Sequence, residues 1–269
     1  MPAGWRRWGG VCRAEYRVAM DSTVGIIILG AAVAGFVQGL SGFAFSLVAL
    51  SFWAWGVDPA LAATLAILGG LAGQITAAIR VRRGFDLALL APFLLGGLVG
   101  VPIGVAVLPM LDVPLFKALL GGLLVTWCPA ILFATRLPRV PDLGSFANGT
   151  VGLAGGILGG IVGSAGAVPT LWTTLRQYDR DHARAVVQNF NLVVLALSGG
   201  ALVATGRVTR EVLPTLGIVI VAMLVPALIG MRVYIGLSEV TFRRVVLTCL
   251  TASGLALLAS SLPTLLARL

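Results

Sequence analysis

The sequence predicts an all-α, polytopic integral membrane bundle of about eight transmembrane helices in two homologous halves, each opening with a glycine-rich broken helix. Three observations carry this. Only 11% of the 269 residues are charged and 58% are hydrophobic, whereas soluble domains carry roughly 25% charged residues. Eight stretches free of Asp, Glu, Lys and Arg each run to at least 18 residues, long enough to span a bilayer as helices. The first and fifth of these, at 36 and 33 residues, exceed all the others. No ten-residue alternation of a barrel type is visible, and backbone groups in hydrocarbon must be satisfied within the segment, so helices are expected.

In chain order, residues 1–20 form a basic leader with Arg6, Arg7, Arg13 and Arg17, expected to be a cytoplasmic tail, with Met20 as an alternative start. A first transmembrane repeat follows over 21–140, with apolar runs at 22–57, 59–79, 87–111 and 118–135. The second, over 141–269, has runs at 143–175, 185–206, 212–231 and 245–267. The net charge of +9 sits mainly between runs, which points to membrane orientation and lipid contact rather than to nucleic acid. Arg80, Arg82 and Arg83, then Arg136 and Arg139, then Arg207 and Arg210 place the even-numbered joints and both termini in the cytoplasm. The joints holding Arg176, Arg180 and Arg184, and Arg232, Arg243 and Arg244, cut across that pattern. Cys12, Cys128 and Cys249 lack metal spacing, and the two inside apolar runs, Cys128 and Cys249, are read as small packing residues.

The two halves align with each other. Gly35, Gly39, Gly42 and Asp58 meet Gly156, Gly160, Gly163 and Asp179 at a constant offset of 121. The offset then drifts through loops without breaking order: Gly84 and Pro92 meet Gly206 and Pro214, and Phe116 and Lys117 meet Phe242 and Arg243. Internal duplication is the usual construction of secondary transporters, with the substrate at the repeat interface.

A straight helix over the first run would be about 54 Å long, against a hydrocarbon core of about 30 Å. Each long run must therefore break, and residues 34–46 and 154–169 concentrate the glycine, serine and proline that break it. A broken helix exposes unpaired N–H groups and the positive end of a dipole, which suits an anion. Gln38, Ser41, Ser46, Ser164 and Thr170 stand beside the breaks. Any single glycine is more simply a close-packing residue; the duplicated cluster in an over-long run favours the site. Gln74, Thr76, Gln188, Asn189 and Asn191 add polar groups inside other runs, and Arg184 heads the sixth.

These residues resemble the TauE/SafE family of sulfite exporters and related anion permeases, over about Val24 to Leu262. Members open each half with a Gly-x-x-x-Gly-x-x-Gly stretch running into a glycine-rich turn and a proline. Gly35, Gly39, Gly42 and Phe43 match the first copy; Gly156, Gly160, Gly163, Gly166 and Pro169 match the second; Arg184 with Ala185 resembles the basic start of the next helix. Ala44 stands at a usual glycine, and Ala49 or Ser51 where proline is common, a departure that bears on substrate more than on fold. The resemblance implies secondary transport of small anions, such as sulfite or organosulfonates, across a bacterial cytoplasmic membrane. It implies an ion gradient as the driving force, with no enzyme activity and no cofactor, and leaves a coupling ion and a homo-oligomer open. The candidate substrate residues are Gln38, Gly39, Ser41, Gly42, Phe43 and Ser46 from the first break, Gly160, Gly163, Ser164, Gly166, Pro169 and Thr170 from the second, and Arg184 and Asn189.

The rival class is an intramembrane serine protease using Ser41, since Gly39-Leu40-Ser41-Gly42 fits the Gly-x-Ser-Gly of rhomboids. It lacks a base: the single His182 lies in a charged joint, and Val162 stands where the second copy would need a serine. A non-transporting structural or receptor role is the other alternative. Asp58 and Asp179 are expected to cap helices, Asp58 preceding Pro59. Four crossings per half would make the repeats parallel in the membrane; a fifth would make them inverted.

Overall fold

A computed structural model describes residues 5–80, 87–133, 140–141, 143–233 and 239–268, with side chains in these ranges except at 5–22, 180, 233 and 239–243. The described residues form ten α-helices and a single 3-10 turn. The first five are α1 (Trp5–Ser41), α2 (Phe45–Trp53), α3 (Pro59–Arg80), α4 (Leu87–Val107) and α5 (Val113–Phe133). The same order of long, short and three long helices recurs in α6 (Gly144–Val162), α7 (Ala167–Leu175), α8 (Arg180–Ala204), α9 (Val212–Val233) and α10 (Glu239–Leu266). Eight helices are long and apolar enough to cross a membrane, the stretch within α1 being Thr23–Ser41. The helical backbone of α1 extends back to Trp5, well ahead of that apolar stretch.

Both over-long runs break where the glycines predict, and both then turn back. At the end of α1, Gly42 takes φ +85°, and at the end of α6 Gly163 takes φ +69°, a left-handed conformation that costs an L-residue with a side chain roughly 1–2 kcal/mol. The Gly163 N–H reaches Gly159 O and the Ser164 N–H reaches Leu158 O, which closes the last turn of α6 on itself. The short helices run back beside the helices that precede them. Trp53 Nε1 at the end of α2 donates to Ile27 O near the start of the apolar part of α1, at 3.2 Å. Trp172 Nε1 in α7 donates to Asn148 Oδ1 near the start of α6, at 2.9 Å.

Each long helix with its return is thus a re-entrant hairpin, and α3 and α8 begin at the end where α1 and α6 began. The five segments of each half therefore carry the chain from one end of the bundle to the other, and the two halves run in opposite senses. Packing agrees. α1 lies parallel to α9, with Gly35 against Met223 and Gly39 against Ala227, and α4 lies parallel to α6, with Gly100 against Leu153 and Gly104 against Ile157. The fourth helix of each half thus holds the first helix of the other.

This geometry corrects the expected placement of the joints. The α3–α4, α5–α6, α7–α8 and α9–α10 junctions share one end, called here the Arg80 end. The α8–α9 junction with Arg207 and Arg210 lies at the opposite, Asp58 end, together with the start of the apolar stretch of α1 and the end of α10. The first hairpin reverses the sense of the crossings after it and the second restores it, which overturns the expected sharing of one side by the Arg80 joint and both ends of the chain. Contacts join the Asp58 end: Lys117 at the start of α5 lies 4.9 Å over the Trp55 ring, and Arg268 just beyond α10 pairs with Asp112. Both expected caps are in place. Asp58 Oδ1 accepts from the N–H groups of Ala60 and Leu61, and Asp179 Oδ1 from those of Asp181 and His182. The His182 amide and then its imidazole hold the Asp179 carboxyl below the usual carboxylate range.

Candidate functional site

The two breaks meet inside the bundle, against the middle of α3 and α8. Ser46, in the first turn of α2, is buried and donates to Gly163 O at 2.8 Å, across from one half to the other; the same hydroxyl lies 3.2 Å from Ala66 O of α3. Phe43 packs against the backbone of the second break, where a Cβ on Gly166 would come within 3.1 Å of the Phe43 Cβ. Replacing Ser46 by alanine should strip a donor from buried carbonyls and cost about 1–3 kcal/mol. The expected readout is a lowered unfolding temperature in detergent; an unchanged temperature would mean that the bridge carries no weight.

The helices that start at the breaks have no side-chain cap. Ala44 and Gly166 are the N-cap residues of α2 and α7, and neither offers a side-chain acceptor to its own helix. The positive ends of two nine-residue helices come together, with Ser41 Oγ and Asn191 Oδ1 the side-chain oxygens that reach them. Ser41 Oγ accepts weakly from the Phe43 and Ala44 N–H groups, at 3.5 and 3.3 Å. That makes Ser41 a local stabiliser of the turn. Thr170 Oγ1 bonds back to Gly166 O at 2.6 Å, within its own helix, and Pro169, at a first-turn position that needs no N–H donor, is buried.

The neighbouring helices hold each tip through amides. Gln74 of α3 is fully buried, and its Nε2 donates to Gly42 O at 2.5 Å. Gln38 Nε2, also buried, faces Gly70 O at 3.4 Å. In the second half Asn191 Oδ1 accepts from the Gly166 N–H at 3.0 Å. It is Asn191 of α8, then, that touches the break. Asn189 sits two residues earlier and half-buried, about 200° around the helix from it. Arg184 is also half-buried, in the early turns of α8 toward the Arg80 end.

Two expected site residues have a sufficient packing explanation. A Cβ on Gly39 would overlap Ala227 O of α9, and one on Gly160 would stand 2.8 Å from Val101 O of α4. Gly163 combines both demands: positive φ, and 2.7 Å from a built Cβ to Ser46 Oγ. Around Gly42, by contrast, a built Cβ meets nothing within 4 Å, so the first tip borders open space.

Sequence reasoning missed two residues. Trp127 of α5 clasps both tips: its ring meets Phe43 edge to face at 5.8 Å, and its Nε1 donates to Ala167 O at 2.9 Å. Arg176, just after α7, is buried, with its guanidinium 5.7 Å from both the Trp172 and Tyr178 rings. It lines a cavity of about 210 Å³ at the Arg80 end together with Asn148, Ser145 and Tyr178. Its burial has no sequence signal, since it reads as one charge among several in a joint. Among the described residues no group of three His, Cys, Asp or Glu side chains converges as a metal site would require.

A family model described as Sulfite exporter TauE/SafE matches residues 27–257 of the chain. No curated protein and no solved structure matches it.

Proposed function

Because the chain belongs to the sulfite exporter TauE/SafE family, we propose that it is a secondary permease for small anions, sulfite or an organosulfonate, held between the N-termini of α2 and α7. The observation that supports this reading is the meeting of those two uncapped helix starts at a bridge between the halves. The first turn of α2 carries unpaired N–H groups, and each of the two helix starts carries about half a positive charge. Two such ends in a water-poor interior favour one small anion over a neutral solute, without a lysine or arginine at the centre.

The 21–140 and 141–269 units, running in opposite senses, act as inverted repeats that rock about the breaks and expose the anion to either side in turn. The cavity beside Arg176 supplies a buried positive charge on the way in from the Arg80 end. By chain order, the connections at that end hold Arg80, Arg82, Arg83, Arg136 and Arg139 as well as Arg176, Arg180 and Arg184. The excess of basic residues supports a cytoplasmic placement of that end, in a reading in which the membrane is the bacterial cytoplasmic one. Ser41 serves the turn rather than a hydrolytic reaction.

Reconstituted into liposomes, the protein should move sulfite and sulfoacetate down their gradients and leave a neutral solute of similar size outside. If neither anion moves, or the neutral solute moves equally fast, the permease reading fails.

A further inference from the structure

The first break carries a demand that an anion does not meet. Gln74 Nε2 faces Gly42 O, and Gln38 Nε2 faces Gly70 O. Turning either amide over would set two oxygens against each other, so the carbonyls fix both orientations. What remains are the two side-chain oxygens, Gln38 Oε1 and Gln74 Oε1, both buried and without a hydrogen-bond partner. Gln38 is 4% and Gln74 0% exposed. Buried acceptors left bare cost free energy, and what completes an acceptor is a donor or a cation.

The surroundings share that polarity. Gln38 lies one turn before Gly42, and Gln74 is bonded to Gly42 O, so both flank the C-terminus of α1, the negative end of its dipole. Open space borders Gly42 on the side where its Cβ would be. At the second break the amide oxygen, Asn191 Oδ1, already accepts from the Gly166 N–H, and the buried side-chain oxygen without a partner is the Ser164 hydroxyl, which can donate as well as accept.

We propose that the α1 tip binds a monovalent alkali cation, through Gln38 Oε1, Gln74 Oε1 and the terminal carbonyls of α1, and that this cation travels with the anion. The proposal rests on the permease reading and names its coupling ion. All the ligands are neutral hard oxygens, which suits sodium; no carboxylate is offered to balance a divalent ion, and an amide does not titrate, so a proton is not carried here. One break therefore presents opposite poles three residues apart, the end of α1 to a cation and the start of α2 to an anion. When both are bound, the cation offsets one charge of the anion, which lowers the cost of burying either.

Equilibrium binding tests the cation apart from flux. Radiosodium should bind the detergent-solubilised protein saturably, and sodium chloride should raise its unfolding temperature relative to choline chloride at equal ionic strength. Gln38→Leu should weaken sodium about tenfold or more, and Gln38→Glu, which adds a fixed negative charge at the same place, should tighten it. The opposite signs guard against a variant that merely folds poorly. A wild-type protein indifferent to sodium means that water satisfies the oxygens, and it overturns the proposal, as does unchanged binding in both variants. In liposomes, anion flux independent of sodium overturns the cation site and leaves the permease standing; absence of anion flux in every salt overturns the permease reading instead.

Discussion

Gly39→Ala is expected to lose folded protein, whereas Gly42→Ala, three residues on, is expected to keep it. At Gly39 the added Cβ overlaps Ala227 O and lies 3.0 Å from Met231 N. Both are backbone atoms of α9, which cannot step aside without the helix. Overpacking of this kind costs about 1–3 kcal/mol or more, and it falls on the contact that joins the halves. At Gly42 a Cβ meets nothing, and the variant bears only the left-handed strain of roughly 1–2 kcal/mol. Unfolding temperature and monodispersity in detergent separate the two. A Gly39→Ala protein as stable as wild type but unable to transport would restore Gly39 to the substrate site.

Trp127→Ala should be the second severe change. Trp127 is 6% exposed, and truncating a packed tryptophan costs about 3–5 kcal/mol, to which the bare Ala167 carbonyl adds about 1–3 kcal/mol. The loss concentrates where the two tips are clasped, so flux per folded molecule should fall along with stability. Trp127→Phe keeps an aromatic edge for Phe43 but cannot donate to Ala167 O. Its flux should therefore lie between wild type and alanine; a phenylalanine variant with full flux would reduce Trp127 to a space-filler.

How far the sequence foretold these sites depended on whether the physics was local. An apolar run too long to cross once must break, and glycine marks where, so Gly42 and Gly163 were legible. So were the caps Asp58 and Asp179, since an aspartate at the head of an apolar run has one common use. The return of α2 and α7 was not, because a hairpin and a straight continuation have the same composition; the Trp53 and Trp172 hydrogen bonds that reveal it join residues 26 and 24 positions apart. Asn191 and Asn189 could not be told apart without knowing which face of α8 meets the break. Trp127 gave no signal as one aromatic residue in an apolar run, and Gly39 and Gly160, set in the same motif as the breaks, proved to stand on helix crossings.

The exchange of partners between halves has a consequence for how the chain is made. The glycine face of α1 is covered by α9, and Gly230, which meets Phe36 and Gly39, is added about 190 residues after Gly39, some 10–40 s later at ordinary rates of synthesis. Throughout that interval the narrow face of α1 lies against lipid or whatever machinery inserts it. The first half cannot be finished before α9 and α10 of the second have emerged, since Gly121 of α5 packs against Gly254 and Leu258 of α10, and the molecule assembles as a whole only when its last helix leaves the ribosome.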